Sequence, residues 1–327
     1  MYSKIRTLND DITLLKTRID IPRDAIIDEI FIRFTVTVAN GGATEWTGTN
    51  EDILKAIEEI RVVSDGSTVH YALSARDAVL LNVYNCPDGF APDLVGAVAV
   101  EAGASKDFVY TIRLNEGDIL AVAKDNLEMK VILDTAVATD VSVAALLGEV
   151  SIVENVVTPE EMVANYGPNL EFCAEPKVYA LSSKVNESSD LQSALDLPTG
   201  SLHRACIMCF IGDTGKIGGA DPDKIGLVNT SPDRREVLHV DWPILRAQNG
   251  ATYDLGGAPP AGVARLDYAR DVTADGYGLR GWRFTKGDWQ VAIKTANEAT
   301  LRYICLEHVV TPAVFDAQES ARLELTR

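Results

Sequence analysis

The chain has 327 residues, 46% of them hydrophobic and 24% charged, with a formal net charge of −18. That composition is that of a packed globular protein, long enough for two domains or one large one, and not of a disordered or collagen-like chain. A negative field of this size repels phosphate backbones, which excludes nucleic-acid binding by the surface as a whole.

Met1–Arg23 mixes charge with aliphatics instead of presenting a basic head and an apolar body, so no signal peptide and no secretion by the usual route are expected. It carries five basic residues (Lys4, Arg6, Lys16, Arg18, Arg23) against three acids (Asp10, Asp11, Asp20), the one markedly basic stretch of the chain. Ile27–Val38 alternates polar with β-branched or aromatic residues and runs into Ala39-Asn-Gly-Gly42, the pattern of a half-buried strand ending in a loop. Asn50–Ile60 sets Ile53, Leu54, Ile57 and Ile60 on one helical face, with Glu51 and Asp52 in its first turn. Strands are predicted at Ile60–Ser64 and Ser67–Leu73. A second helix follows over Ser74–Asn85, with a Ser cap and then Val79, Leu80 and Val83. Phe108–Leu114, Met129–Leu133 and Glu149–Val156 complete the strands of the first half. The most apolar stretch, Val141–Val157, is broken by Glu149 and Glu154, so no membrane span is expected. The second half offers strands at Arg204–Ile211, Ile225–Asn229, Glu236–Val240, Gly281–Thr285, Trp289–Lys294 and Leu301–Val309. Many strands with short helices in their connections predict an all-β sandwich architecture.

Four segments rich in Gly, Ala, Asp and Pro read as loops: Ala39–Thr49, Asn85–Ser105, Gly212–Lys224 and Asn249–Arg280. The last is longer than an ordinary connector and is expected to be a functional or partner-binding excursion. Tyr253, Tyr268 and Tyr277 would pin it, and deletion of Gly256–Gly262 should leave the fold intact.

Chemical motifs are few. Five cysteines (Cys86, Cys173, Cys206, Cys209, Cys305) at irregular spacing predict reduced, buried thiols rather than a disulfide framework. Cys206 and Cys209 suggest a zinc site, but no second pair follows, and residues three apart in a strand face opposite ways. Asp134-Thr-Ala and Asp213-Thr-Gly each follow an apolar run, as in an aspartic protease. They stand 79 residues apart, too few for equivalent positions in two lobes. Gly212-Asp-Thr-Gly-Lys216 lacks the spacer and the Ser or Thr of a phosphate loop. The acidic turns at Asp221-Pro-Asp223 and at Asp88 and Asp93 lack EF-hand spacing, which leaves metal binding open. His70, His203, His239 and His308 are scattered in or beside strands and read as structural. No catalytic or cofactor-binding residue is assigned.

An approximate internal duplication is the most informative feature. Ile19-Asp-Ile-Pro22 before Ile32-Arg-Phe34 matches Leu195-Asp-Leu-Pro198 before Met208-Cys-Phe210, with prolines 176 residues apart. Ile60-Arg-Val-Val63 matches Ile225-Gly-Leu-Val228, Leu80–Asn85 matches Ile244–Asn249, Glu116–Ile119 matches Lys286–Trp289, and Leu127–Leu133 matches Leu301–Leu306. The order is kept and the offsets stay between 164 and 176, which predicts two copies of one β-sandwich. The expected divisions are a first sandwich over 1–157, a linker over 158–176, a second sandwich over 177–310 and a tail over 311–327.

Asp52–Asn85, with its Ile-Arg-Val-Val-x-Asp-Gly hairpin and Leu-Asn-x-Tyr-Asn helix end, and Leu195–Phe210 carry a resemblance to a known family. The chain resembles the double jelly-roll major capsid proteins of tailless, membrane-containing icosahedral viruses such as corticovirus- and tectivirus-like bacteriophages. The resemblance implies an all-β fold of two tandem jelly rolls and a non-enzymatic virion shell protein made in the host cytoplasm. It implies homotrimers that tile as pseudo-hexagonal capsomers. It implies neighbouring capsomers, penton or minor capsid proteins and an internal lipid membrane as partners, the last touched by the basic N-terminal segment. The loops Ala39–Thr49, Gly212–Lys224 and Asn249–Arg280 would then project from one end of the sandwiches, outward. Two other readings stay open: a carbohydrate- or glycoprotein-acting hydrolase on paired jelly rolls, which needs two convergent carboxylates, and a spike or adhesin module.

Overall fold

The structure is a computed structural model that describes residues 2–85, 93–156, 175–230, 234–255, 259–268, 284 and 289–309. The chain divides into two compact units, Met1–Glu171 and Phe172–Arg327. Cys86, Asp88, Cys173, Tyr277, most of the 158–176 segment, all but Phe284 of the Gly281–Thr285 strand and the 311–327 tail lie outside the described residues.

Unit 1 runs β1 (Tyr2–Thr7), β2 (Ile12–Thr13), β3 (Arg18–Asp20), β4 (Ile26–Asn40), β5 (Trp46–Thr49), α1 (Asn50–Leu54), β6 (Ile57–Ser64), β7 (Thr68–Leu73) and α2 (Ala75–Asn85). It continues with β8 (Ala97–Val100), β9 (Ser105–Leu114), β10 (Leu127–Leu133), β11 (Ala136–Ala138) and β12 (Val141–Val156). Set aside the small strands β2, β5, β8 and β11, and eight remain. One sheet takes them in the order first, eighth, third, sixth (β1-β12-β4-β9). The other takes them in the order second, seventh, fourth, fifth (β3-β10-β6-β7). All the pairings are antiparallel.

Unit 2 runs β13 (Glu175–Val185), β14 (Ser188–Asp196), β15 (Leu202–Ile211), β16 (Lys224–Asn229), β17 (Arg235–Asp241), α3 (Trp242–Thr252), β18 (Val263–Asp267), β19 (Trp289–Thr295) and β20 (Ala299–Val309). Its sheets are β13-β20-β15-β18 and β14-β19-β16-β17, the same first–eighth–third–sixth and second–seventh–fourth–fifth orders. Each unit is thus a jelly roll, and the chain is a double jelly roll.

Alternation fixes which face enters each core. In β4, Ile30, Ile32, Phe34, Val36 and Val38 are buried while Arg33 is exposed, so a one-residue slip would expel the whole set. In unit 2, Met208 and Phe210 of β15 pack with Ile225 and Leu227 of β16, Val291 and Ile293 of β19, and Trp242 of α3. The rings of Phe210 and Trp242 meet edge to face, 5.1 Å between centroids.

The strand orders repeat between the units and the sequence matches fit them with two corrections, while Lys286–Asp288 of the Glu116–Ile119 match lie outside the described residues. The paired Pro22 and Pro198 each stand two residues past a second strand, Phe34 and Phe210 both lie in third strands, and Ile60 and Ile225 both lie in fourth strands. Leu127–Leu133, however, is a seventh strand whereas Leu301–Leu306 lies in an eighth; its counterpart is β19, Trp289–Thr295. The helices after the fifth strands are equivalent, but 75–85 aligns with 242–252, so Asn82 and not Asn85 matches Asn249.

Other expectations change as well. The helix predicted over Asn50–Ile60 stops at Leu54, and Ile57 and Ile60 belong to β6, opposite Leu133 and Val131. The described part of Asn249–Arg280 is not one loop: its first residues finish α3, and Val263–Asp267 is a sheet strand paired with β15, while 256–258 and 269–280 lie outside the described residues. Tyr268 is fully buried in the core rather than pinning a surface loop.

Candidate functional site

The candidates among the described residues bond to nearby backbone and side chains. Asp221 accepts hydrogen bonds at Oδ1 from the Trp242 indole N–H (3.1 Å) and the Gly262 backbone N–H (2.8 Å), and Arg246 lies 3.5 Å from its other oxygen. It is a hub that ties the β15–β16 loop to α3 and to the entry of β18. That hub also overturns the expected tolerance to deletion of Gly256–Gly262. The Gly262 carbonyl accepts from Phe210 N–H at 2.8 Å, and its φ of +72° belongs to glycine. Asp93 accepts from Val95 N–H (3.1 Å) and Asp134 from Ala136 N–H (3.0 Å), both local turn bonds. Asp134 follows a seventh strand and Asp213 a third, so the two are not equivalent positions of the repeat. In the Gly212–Lys216 turn, Gly212 N–H donates to the Lys216 carbonyl (3.2 Å) and Gly215 N–H to the Gly212 carbonyl (2.9 Å), an arrangement that does not turn these amides toward an anion. No group of three His, Cys, Asp or Glu placed to hold a metal occurs among the described residues. Cys206 belongs to the core cluster of unit 2, while Cys209, three residues on, lies on the opposite face of β15.

The basic N-terminal segment is built into unit 1. Lys4 bridges Glu154 (3.0 Å), Arg6 bridges Glu154 and Asp24, Lys16 pairs with Asp10, and Arg18 pairs with Glu128. Arg23 donates to the Lys124 carbonyl (3.0 Å). The four that face carboxylates are balanced within the sandwich, which weakens the field they offer an anionic lipid surface.

Among the described residues two devices recur in both jelly rolls, and the sequence reading missed both. In the first, an asparagine of the helix after the fifth strand closes the outer edge of the sixth. Asn82 Nδ2 donates to the Arg113 carbonyl (2.5 Å) and its Oδ1 accepts from Arg113 N–H (2.9 Å). Asn249 does the same to Arg265, at 2.9 and 2.6 Å. Both asparagines are fully buried. β9 and β18 are edge strands whose free N–H and C=O groups could otherwise template another strand, and the amide stands in for that neighbour.

In the second device, the eighth strand buries a glutamate opposite a lysine of the first. Glu154 is the register partner of Lys4, and Glu307 that of Lys177 at 3.2 Å. Two residues further along the first strand, Arg6 also reaches Glu154 (3.1 Å), and the Tyr179 hydroxyl donates to Glu307 (2.6 Å). A buried carboxylate without such partners would be costly, so each pair fixes the first strand against the last. The signal was present as an acid directly after apolar residues near the end of a strand: Ile152-Val-Glu154 and Cys305-Leu-Glu307.

Around Glu307 unit 2 gathers a buried polar group. The His203 ring donates from Nε2 to the Pro198 carbonyl (2.8 Å) and turns Nδ1 toward Glu307 at 3.4 Å. Burial lowers the His203 pKa, against the opposing pull of Glu307. Burial raises Tyr179, with Cys305 and Glu307 adding to it, and pushes the Cys206 thiol up to about 11. The other histidines have local partners: His70 with Ser64 (2.8 Å), His308 with Arg204 (3.1 Å) and exposed His239 with Glu236 (3.2 Å). In unit 1 the carboxyls of Asp28, Glu29 and Asp118 cluster near Arg113. Burial first, then the Asp118 charge, raises the Asp28 pKa.

The fold that these elements define is that of the double jelly-roll proteins. No protein-family model matches the chain, and no curated protein matches it in sequence. Among solved structures the chain is similar to the STIV MCP, with a TM-score of 0.83 and 19% identity over 97% of this chain and 99% of that one. It is similar to a chain of the atomic structure of Sulfolobus Turreted Icosahedral Virus, with a TM-score of 0.78 and 18% identity over 94% and 91%. The major capsid protein P2 from bacteriophage PM2 matches with a TM-score of 0.58 and 12% identity over 95% and 98%.

Proposed function

We propose that this chain is a major capsid protein: a non-enzymatic building block that self-associates into the shell of an icosahedral virion. The observation that carries the reading is the end-to-end likeness to the STIV MCP, 97% of one chain against 99% of the other, with both jelly rolls included. A hydrolase or an adhesin on the same fold would carry its chemistry in insertions, yet the two chains are almost coextensive. The internal devices suit a shell tile. Closed sheet edges block unplanned strand addition, and zipped chain ends keep each sandwich rigid enough to transmit lateral contacts. Association through one heterologous patch used three times closes a ring, and six jelly rolls in a trimer give a pseudo-hexagonal outline. Penton or minor capsid proteins and a lipid membrane are further partners in this reading, with membrane contact made elsewhere than through Lys4, Arg6, Lys16 and Arg18.

Native mass spectrometry of the full chain at micromolar concentration tests this, followed by electron microscopy of the same sample. Trimers and hexagonal tiles are the expected result. A protein that stays monomeric across salt and concentration overturns it.

A further inference from the structure

We propose that Cys206 and Cys305 are the two halves of a cross-strand disulfide joining the third and eighth strands of the second jelly roll. The residues are direct register partners on β15 and β20, 99 positions apart in sequence. The Asn249 clamp identifies the kind of pair they form. Because Arg265 turns its N–H and C=O outward to Asn249, it cannot bond its partner Ile207, whose own groups must then face β20. Ile207 and Ile304 are therefore a hydrogen-bonded pair, and the adjacent Cys206 and Cys305 a non-hydrogen-bonded one. In such pairs the Cα atoms stand about 4.5 Å apart with side chains converging, inside the span of about 4.4–6.8 Å that disulfides use. Both side chains enter the same core cluster, beside Tyr268 and Tyr303, and the Tyr268 hydroxyl lies 3.6 Å from Cys206 Sγ.

The structure holds both as free thiols, fully buried, with burial raising the pKa of each. A sealed, protonated thiol is a poor nucleophile, so the bond forms before β20 docks against β15. The oxidant is a low-molecular-weight disulfide. One cysteine loses its proton to water and attacks, releasing one small thiolate and leaving a mixed disulfide. The second cysteine, likewise deprotonated, attacks the protein sulfur of that mixed disulfide and releases the other. Both small thiolates take up a proton; the protein is oxidised by two electrons and the small disulfide is reduced to two thiols. Once closed, the bond lies beyond the reach of reductants in the folded unit.

The test refolds the full chain from guanidinium in oxidised glutathione, blocks residual thiols with N-ethylmaleimide under denaturing conditions, and maps tryptic peptides by fragmentation mass spectrometry. The expected product is a linked peptide pair lighter by two hydrogens, with the link at Cys206 and Cys305. Native reduced protein given the same oxidant should keep both thiols. The cross-linked form should also melt about 5–10 °C above the reduced one. Recovery of both cysteines alkylated after oxidative refolding overturns the proposal, as does linkage to Cys209, Cys86 or Cys173 instead. A correctly linked protein with no gain in melting temperature refutes the claim that native geometry accommodates the bond. The Cys209→Ala variant, in which the expected link persists, removes any ambiguity between neighbouring sulfurs.

Discussion

Replacing Asn249 by alanine should unfold the second jelly roll at markedly lower temperature, although no apolar contact of note is lost. The side chain is fully buried and makes two hydrogen bonds, at 2.9 and 2.6 Å, to the backbone of Arg265. Its removal leaves one N–H and one C=O on the outer edge of β18 without that partner. Each such group costs about 1–3 kcal/mol when it stays buried. Arg265 is only half-buried and water can reach part of the gap, so the expected loss is about 2–4 kcal/mol. For a unit of this size that is a fall of roughly 5–12 °C in melting temperature. Scanning calorimetry of the full chain resolves it, with Asn82→Ala giving the same comparison in the first unit. Asn249→Asp sharpens the argument. It keeps the acceptor for Arg265 N–H but sets a carboxylate oxygen against the Arg265 carbonyl, so it should cost at least as much as alanine at neutral pH. Acid should restore part of the loss by returning a donor. A shift below about 1 °C in both alanine variants would refute the edge-closing role, since two unpaired backbone groups cannot cost so little.

Burial holds the folded His203 pKa below its ordinary value of 6.5. The unfolded chain therefore takes up the proton first, and stability falls as pH drops below about 6.5. His203→Gln should flatten this slope in denaturation curves between neutral pH and the carboxylate range, and an unchanged slope would dismiss the histidine as its source. At Gly262 an added Cβ would lie 2.7 Å from the Gly218 backbone nitrogen, at a φ of +72°. Gly262→Ala should destabilise the unit by about 2–4 kcal/mol, read as a lower urea midpoint; a neutral result would mean the two loops do not meet.

Where packing writes a period into the chain, the sequence showed the fold. Alternation in Ile27–Val38 identified β4, and the paired Pro22 and Pro198 marked the same corner in both copies. It failed where other forces decide. β14, Ser188–Asp196, is a mostly exposed edge strand whose register shifts twice, so its few apolar residues follow no alternation. In β12 the register shifts between Val143 and Ala145, which breaks the alternation and hid its first half. Asn82 and Asn249 look like ordinary helix residues until the edge of the sixth strand lies beside them. Matching apolar letters alone aligned the wrong asparagine and paired a seventh strand with an eighth. Among the described residues, the acidic turns at Asp93, Asp134 and Asp221 and the strand-borne His70, His203 and His308 bond to nearby backbone or side chains, which no spacing in the sequence reveals.

The glutamate–lysine pairs that join first strand to last also set a schedule for synthesis. Lys4 and Arg6 leave the ribosome about 150 residues ahead of Glu154. At about 5–20 residues per second, that is a wait of roughly 7–30 s during which β1 has neither its ladder partner nor its counter-charge. The second unit repeats the delay between Lys177 and Glu307. Each sandwich must therefore be held open until its final strand arrives, with its apolar inner faces exposed to any other chain nearby. A cell making this protein in quantity would meet a population of unclosed sheets at every moment, and the yield of folded chains would depend on how well those sheets are kept apart.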